Sequence, residues 1–177
     1  IECVFNAIDC NVPQNRERWY CVGVRKNSGI NLNTFNFPKK QELTKTIDKI
    51  IDFDYNSKKY KCSNICKKNV QHFVKSKKIL VTNKTIAYEI RRSKCQFKND
   101  GISPCLTAKM GTGGNNVPVV VSKMRHLTEN ECLKIMGFPS TYKISPGSHA
   151  YKQIGNSVVV PVITKIAKEL VDLITEA

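Results

Sequence analysis

Long apolar runs are missing from this chain of 177 residues. No stretch approaches the roughly 18 apolar residues that a membrane-spanning helix needs. The first residues also lack the order of basic, apolar and small residues that marks a signal peptide. We therefore expect a cytoplasmic protein without a membrane partner. The chain opens on Ile1 instead of Met, which we interpret as a cut inside a larger protein or as a processed end.

Signatures of metal sites and phosphate loops are missing as well. None of the eight cysteines forms a C-x-x-C pair, and no two His have zinc-finger spacing. Cys62 and Cys66 are the only close pair, with His72 following them; free thiols are the simpler interpretation, and we expect no metal. The glycine-rich segment 111–116 lacks the Gly-Lys-Ser/Thr of a Walker loop. It either lets the backbone approach a large ligand or forms a mobile surface turn.

Acidic residues are few, so the balance of charge is strongly basic. The chain has 29 Lys and Arg against 14 Asp and Glu, a formal net charge of +15. Such an excess favours a polyanionic partner such as nucleic acid, although a compositional bias toward Lys and Asn is the alternative. Residues 58–98 hold eleven Lys and two Arg against one acid, Glu89. This segment is either a surface that follows phosphates or a solvated basic face.

Length and apolar patterning indicate a small globular protein of mixed structure. The chain can form one ordinary domain or two small lobes with a shared core. Apolar, β-prone runs predict strands near residues 3–5, 19–24, 79–82 and 117–121. Helical spacing of apolar residues predicts a helix within residues 43–51.

The last third of the chain predicts two helices. Thr128 and Glu131 form a capping box, and the helix that follows should end at Gly137. A second helix should run from about Val160 to Ile174, with an apolar stripe along one face.

A group of side chains rich in hydrogen-bond donors precedes the run at 19–24. If this segment is extended, Gln14, Arg16 and Arg18 lie on one side, because side chains alternate with period two. Two guanidiniums and an amide suit a phosphate, a carboxylate or a base edge. A surface arginine pair bridged by Glu17 is the alternative.

A second candidate for ligand binding precedes the last helix. Gly155 allows a tight turn, and Asn156 and Ser157 are good N-cap residues. Free N–H groups at such a helix start can hold a carboxylate or phosphate. Plain helix capping is the alternative.

In their residues and in their order along the chain, these segments resemble the C5-cytosine DNA methyltransferases. Residues 6–9 and 12–18 (NAID, VPQNRER) resemble motif VIII, residues 125–139 motif IX, and residues 153–161 (QIGNSVVVP) motif X. Residues 101–108 resemble the end of a target recognition domain. The resemblance implies an α/β fold, the C-terminal portion of a Rossmann-like, S-adenosylmethionine-dependent methyltransferase with a small, mostly β target recognition lobe.

The same resemblance implies a division of the chain and a reaction. Residues 1–30 should be terminal strands of the catalytic domain, and residues 31–122 the target recognition domain. Residues 123–177 should hold the motif IX hinge helix and the motif X helix, which returns to the catalytic domain. In this family a cytosine is flipped out of double-stranded DNA. A Cys thiolate adds to its C6, C5 takes the methyl group of S-adenosylmethionine, and a base removes the C5 proton.

Carried over residue by residue, the resemblance assigns three groups of site residues. Arg18 should hydrogen-bond the flipped cytosine, while Arg16 supports the site and Gln14 shapes it. Asn156 and Ser157 should border S-adenosylmethionine. The expected DNA-binding residues are Cys105, Leu106, Thr107, Lys109, Gly111, Gly113 and Gly114.

Two further residues, Arg125 and Glu131, should be structural, tying motif IX to the recognition lobe. One departure is the pair Cys105-Leu106, which stands where the family has Thr-Leu or Thr-Val. A thiol is a weaker hydrogen-bond partner than a hydroxyl.

Several family motifs are not found in the chain: the Phe-x-Gly-x-Gly cofactor motif, the Pro-Cys nucleophile loop and Glu-Asn-Val. We therefore expect the C-terminal part of a DNA (cytosine-5-)-methyltransferase that acts in a restriction-modification context. This part should be inactive without an N-terminal catalytic half from the same gene or a separate subunit. A free-standing, sequence-specific DNA-binding module is the alternative, and methylation of RNA is a third. Unpaired edge strands within residues 1–24 predict self-association when that half is missing.

Overall fold

The computed structural model describes residues 1–112, 116–145 and 148–175. Six short strands lie in these ranges: β1 (Glu2–Asn6), β2 (Glu17–Cys21), β3 (Ile86–Tyr88), β4 (Gln96–Lys98), β5 (Val119–Val120) and β6 (Arg125–His126). The helices there are α1 (Asn64–Ser76), α2 (Glu129–Ile135), α3 (Ser148–Asn156) and α4 (Val160–Thr175). No helix among the described residues is long and apolar enough to cross a membrane. The mixed α/β class is confirmed.

Strands β1 and β2 form a two-stranded antiparallel sheet. This pairing confirms the two strands predicted near the start of the chain. Phe5 lies opposite Arg18, and Val4 lies opposite Trp19. The Phe5 side chain is buried in the core, whereas Val4 and Trp19 remain 48% and 60% exposed. One face of this sheet therefore presents apolar side chains outward.

The other four strands form an antiparallel sheet in the order β4-β3-β5-β6. Helix α1 packs near it, and the two share a small core of their own. That core consists of Cys62, Cys66, Val70, Ala87, Ile90, Cys95, Val119 and Val121. We call α1 and this four-stranded sheet the small lobe.

Helix α1 was not predicted from the sequence, and the segment after it differs from the prediction. The predicted strand at residues 79–82 is wrong, because Lys78 turns the chain at φ +50° and the Ile79 N–H donates to the Val74 carbonyl. Leu80 is then 79% exposed. The predicted helix within 43–51 is reduced to a 3₁₀ turn at Ile47–Lys49.

The larger core joins β1 to the three C-terminal helices through buried side chains that include Phe5, Leu106, Ile135, Ile154 and Val162. The capping box that begins α2 is confirmed, as is α4 itself, close to its predicted limits. The predicted tight turn at residue 155 is wrong, because that glycine lies inside α3.

Candidate functional site

The Arg16 guanidinium joins three segments that are far apart in the sequence. Its Nη1 donates to the Leu106 carbonyl, and its Nη2 donates to the carbonyls of Gly155 at 3.1 Å and Ser157 at 2.8 Å. The residue is only 6% exposed, and burial lowers the pKa of its guanidinium. The Arg16 guanidinium therefore donates its hydrogen bonds to backbone carbonyls of the protein itself. These bonds fix the relative positions of the three segments.

Gln14 also connects these segments by hydrogen bonds. Its side chain is fully buried; the amide nitrogen donates to Met136 Sδ at 3.1 Å, and the amide oxygen accepts from the Leu106 N–H at 3.2 Å. Next to it, the Asn15 N–H donates to the Ser103 carbonyl at 2.9 Å. Residues 13–16 and 103–106 therefore run side by side.

Arg18 contacts the same neighbouring segment but stays at the surface. Its Nη2 lies 3.7 Å from Cys105 Sγ, and its Nη1 donates to the Glu17 carbonyl at 2.6 Å. The Arg16 Nη1 lies at the same 3.7 Å from that sulfur. All three donor side chains thus face Cys105 and Leu106, as the period-two pattern predicted, and Arg18 is the exposed one.

A cleft of about 210 Å³ opens beside Arg18. We call it the VIII–X cleft, because residues from both segments line it: Arg16, Arg18, Trp19, Tyr20, Asn156, Ser157, Val158 and Val159. Asn156 is exposed and Val158 is 52% exposed. The cleft therefore combines a guanidinium and an amide with apolar surface.

The expectation that Asn156 and Ser157 cap the last helix is wrong. Asn156 is the last residue of α3, and α4 begins only at Val160. The Ser157 hydroxyl donates back to the Ile154 carbonyl at 2.7 Å. Both residues still line the VIII–X cleft, but as the C-terminal end of α3.

A larger cleft of about 390 Å³ includes Cys105 in its lining. We call it the basic cleft; its lining residues are Tyr88, Glu89, Arg91, Lys94, Pro104, Cys105, Thr107, Lys109, Met110, Asn116 and Pro118. Among the described lining residues the one carboxylate is that of Glu89, which pairs with Lys94 at 2.7 Å. The hydrogen bond and charge of Lys94, helped by Lys109 and Arg91, lower the pKa of Glu89. Positive charge therefore dominates the cleft.

The predicted DNA-binding residues divide between the basic cleft and the core. Cys105, Thr107 and Lys109 line the cleft, and the latter two are exposed. Leu106 is fully buried, so its side chain lies in the core and not at the surface where a DNA contact was expected. Gly111 is half-buried in the 3₁₀ turn Ala108–Thr112. The remaining two, Gly113 and Gly114, lie outside the described residues.

Arg125 and Glu131 form the buried ion pair expected of structural residues. Their side chains are 3% and 4% exposed, and the shortest contact, Nη2 to Oε1, is 2.7 Å. Arg125 also donates to the Asp52 carbonyl at 2.7 Å, while Glu131 accepts from the Asp52 N–H at 3.0 Å and from the Thr128 N–H at 2.8 Å. The pair therefore ties the start of α2 to the segment around residue 52.

Arg91 and Lys94 are site residues that the sequence did not single out. Both line the basic cleft, and the Arg91 Nη2 donates to Asn116 Oδ1 at 2.8 Å. In the sequence they are two of the thirteen basic residues within 58–98, and no local pattern distinguishes them from the others.

Known proteins match this chain over nearly its whole length. Residues 3–172 match the family described as C-5 cytosine-specific DNA methylase. The type II methyltransferase M.Bsp6I of Bacillus sp. (strain RFL6) is 39% identical over 94% of this chain and 53% of its own length. M.HhaI of Haemophilus parahaemolyticus is 34% identical over 93% and 50%. The chain thus spans about half the length of these relatives.

The fold is also similar to that of solved methyltransferases. The crystal structure of a mutant of Spodoptera frugiperda DNMT2 superimposes with a TM-score of 0.62 at 21% identity, covering 96% of this chain and 57% of that one. Entamoeba histolytica EhMeth gives a TM-score of 0.58 at 20% identity, over 97% and 53%. Together with the match over residues 3–172, these findings show that the chain belongs to the C-5 cytosine-specific DNA methylase family.

Proposed function

We propose that this chain forms the DNA-recognition part and one wall of the active site of a DNA (cytosine-5-)-methyltransferase that serves a restriction-modification system. The relatives named above, which are type II methyltransferases, support that setting. The observation that carries the proposal is the position of Arg18. Its exposed guanidinium lines the VIII–X cleft and contacts Cys105 of the basic cleft.

The basic cleft is the proposed contact with double-stranded DNA. Arg91, Lys94 and Lys109 line it, with Glu89 as the one acid. Lys and Arg that neutralise phosphates supply most of the affinity for DNA and make it depend on salt. The half-buried Cys105, which lies against Arg18, and the exposed Thr107 also line this cleft.

Arg18 is the proposed contact with the target cytosine. Chemistry at C5 requires the base to leave the stack, and a flipped base needs donors for its polar edge. Arg16 and Gln14 are buried and bonded to the protein, so they act on the reaction by holding Arg18 and the 103–106 segment in place. The guanidinium of Arg18 has five N–H groups, more than its two contacts use.

The VIII–X cleft is the proposed edge of the cofactor site. Its residues fit such a role, because the exposed Asn156 amide can hydrogen-bond and the exposed Trp19 and Val158 offer apolar contact. When bound, S-adenosylmethionine supplies the methyl group. Asn156 and Ser157 would border it and orient it toward the base held by Arg18.

The remainder of the active site is proposed to come from an N-terminal catalytic half. The nucleophile loop and the glycine-rich cofactor motif are not found in this sequence. Val4 and Trp19 on the β1–β2 sheet are exposed, as are Val171 and Ile174 on α4, at 56% and 50%. These apolar side chains form the surface that the catalytic half would cover, and without it they favour self-association.

One observation favours a second function, a free-standing DNA-binding module. Arg91, Lys94 and Lys109 of the basic cleft all come from this chain, and such cations attract DNA phosphates without regard to sequence. Tight binding to one sequence without any partner would support the module over the enzyme part.

Affinity for duplex DNA as a function of salt tests the basic cleft. Lys109→Ala should weaken binding and reduce the slope of log affinity against log salt by about 1, because one phosphate contact is lost. Lys168→Ala on α4 removes the same charge from an exposed position away from this cleft. It should leave the slope unchanged. Equal effects of the two substitutions would mean that net charge, and not the cleft, attracts DNA.

A further inference from the structure

Two thiols and an imidazole meet at the base of the small lobe. The sulfurs of Cys62 and Cys66 and a ring nitrogen of His126 all lie within 4.8 Å of one another. Cys62 is 4% exposed, Cys66 is fully buried, and His126 is half-buried. None of the three takes part in the clefts described above as the DNA and cofactor surfaces.

The fold brings these residues together from two separate segments. Lys61 forms an antiparallel bridge with Arg125, and the Cys62 N–H donates to the Met124 carbonyl at 3.1 Å. Because side chains alternate along extended segments, this register puts Cys62 and His126 on the same face as diagonal neighbours. Cys66 follows in the first turn of α1, with its N–H bonded to the hydroxyl of the N-cap Ser63.

The environment of His126 prepares the ring for a ligand role. Its Nδ1 lies 2.9 Å from the Val117 carbonyl oxygen. A carbonyl can only accept, so Nδ1 carries the proton and the Nε2 lone pair is available. Metal-binding His residues commonly make this outer hydrogen bond, which fixes both the tautomer and the direction of the ring.

We propose that Cys62, Cys66 and His126 bind one zinc ion, which joins the N-terminal end of α1 to β6. Zn²⁺ prefers sulfur and imidazole ligands in tetrahedral geometry. Bond lengths of about 2.3 Å to sulfur and 2.0 Å to nitrogen separate tetrahedral ligand atoms by about 3.5–3.8 Å. Because the three atoms lie within 4.8 Å of one another, the cluster has to contract by at most about 1 Å. A cysteine side chain that changes its χ1 angle can supply a movement of this size.

Charge balance also favours a divalent ion in this place. Binding releases the two thiol protons to solvent, and the two thiolates then neutralise the ion. A neutral complex suits the apolar surroundings of Val70, Ala87 and Val119. With three protein ligands, the fourth position of the tetrahedron would be taken by a water molecule.

His72 gives the experiment a matched control. It is the histidine that follows the cysteine pair in sequence, yet it lies exposed on α1 and outside the cluster. The proposal therefore requires His126, 60 positions after Cys66, and not the nearer histidine.

Metal content and cobalt spectra test the site on the full chain. The reduced, metal-free protein should take up one zinc per chain, and Co²⁺ in its place should give a thiolate-to-metal absorption band. The band should be lost in His126→Asn and Cys66→Ser and kept in His72→Asn. Zinc should also protect two of the eight thiols from a thiol reagent in the unsubstituted protein.

The thiol measurement keeps the test decisive if a variant does not fold. Equal reactivity of the thiols with and without zinc, or cobalt spectra without the thiolate band in the unsubstituted chain, would overturn the proposal. So would His126→Asn protein that binds zinc as tightly as His72→Asn protein.

Discussion

The Cα atom of Gly155 lies directly against the backbone of Thr107. A Cβ built on Gly155 would stand 2.1 Å from the Thr107 carbonyl carbon and 2.3 Å from its oxygen. Real Cβ atoms do not approach backbone so closely, and α3 can therefore pack on this segment only with glycine at that position. The contact brings the residues of the VIII–X cleft next to those of the basic cleft.

Gly155→Ala should disrupt this packing. The new methyl group meets backbone atoms that cannot move aside independently, so we expect a loss of at least about 2 kcal/mol in the free energy of unfolding. Gly23→Ala is the control, because a Cβ at Gly23 has nothing within 4 Å. Urea unfolding monitored by circular dichroism measures both; equal stability of the two variants would refute the close contact.

Arg16 and Arg18 should respond differently to replacement by Lys. An ammonium at position 16 cannot reach the Leu106, Gly155 and Ser157 carbonyls together, so Arg16→Lys should lower the free energy of unfolding by about 3 kcal/mol. Arg18→Lys should change it by less than about 1 kcal/mol, because Arg18 is exposed.

Urea unfolding of both variants separates the structural role of Arg16 from that of the exposed Arg18. Arg18→Lys protein should remain folded to the same urea concentration as the unsubstituted chain. A large loss of stability in that variant would place Arg18 among the structural residues and not at the target base.

Removal of one charge from the buried Arg125–Glu131 pair should greatly lower the free energy of unfolding. Glu131→Gln leaves Arg125 buried without its charge partner, and we expect a loss of about 3–5 kcal/mol in the free energy of unfolding. Glu89→Gln breaks an ion pair with Lys94 whose side chains are more than half exposed, and it should cost less than about 1 kcal/mol. Thermal unfolding of both variants measures the contrast, and similar melting temperatures would contradict it.

Glu129 should make stability depend on pH in the acid range. Burial acts to raise the pKa of its carboxyl, but the hydrogen bond from Tyr60 and the contacts of Lys59 outweigh that and hold the pKa below its ordinary value of 4.5. A carboxylate with a lowered pKa stabilises the folded state above the unfolded pKa, and this contribution is lost as pH falls through the folded value.

The matching measurement compares unfolding of the unsubstituted chain with that of Glu129→Gln from pH 7 to pH 3. Glu129→Gln should be less stable at neutral pH, and the difference should shrink below about pH 4.5. A difference that stays constant over this range would show that the carboxylate charge contributes nothing.

The elements that the sequence predicted well are those set by local chemistry. The capping box of Thr128 and Glu131 and the apolar stripe of α4 lie within a few turns of chain. The common orientation of Gln14, Arg16 and Arg18 follows from alternation along one extended segment. Each of these features needs no knowledge of distant residues.

The elements that it missed depend on contacts far along the chain. Helix α1 is the exception, because the helical spacing of Cys66, Val70, Phe73 and Val74 is a local pattern that predicts a helix. From the sequence, Gly155 is interpreted as a turn residue, because its close contact with the Thr107 backbone is visible only in the structure. The grouping of His126 with Cys62 depends on a strand register that no local pattern reveals.

We propose that this chain recognises DNA and positions the cytosine, while the nucleophile belongs to another part of the enzyme. Transfer of a labelled methyl group from S-adenosylmethionine to duplex DNA tests it most directly. The purified chain alone should bind DNA but transfer no methyl group. Addition of the half of M.Bsp6I that this chain does not match should restore transfer with the unsubstituted chain and not with Arg18→Ala. Methyl transfer by the chain alone would contradict this division of roles.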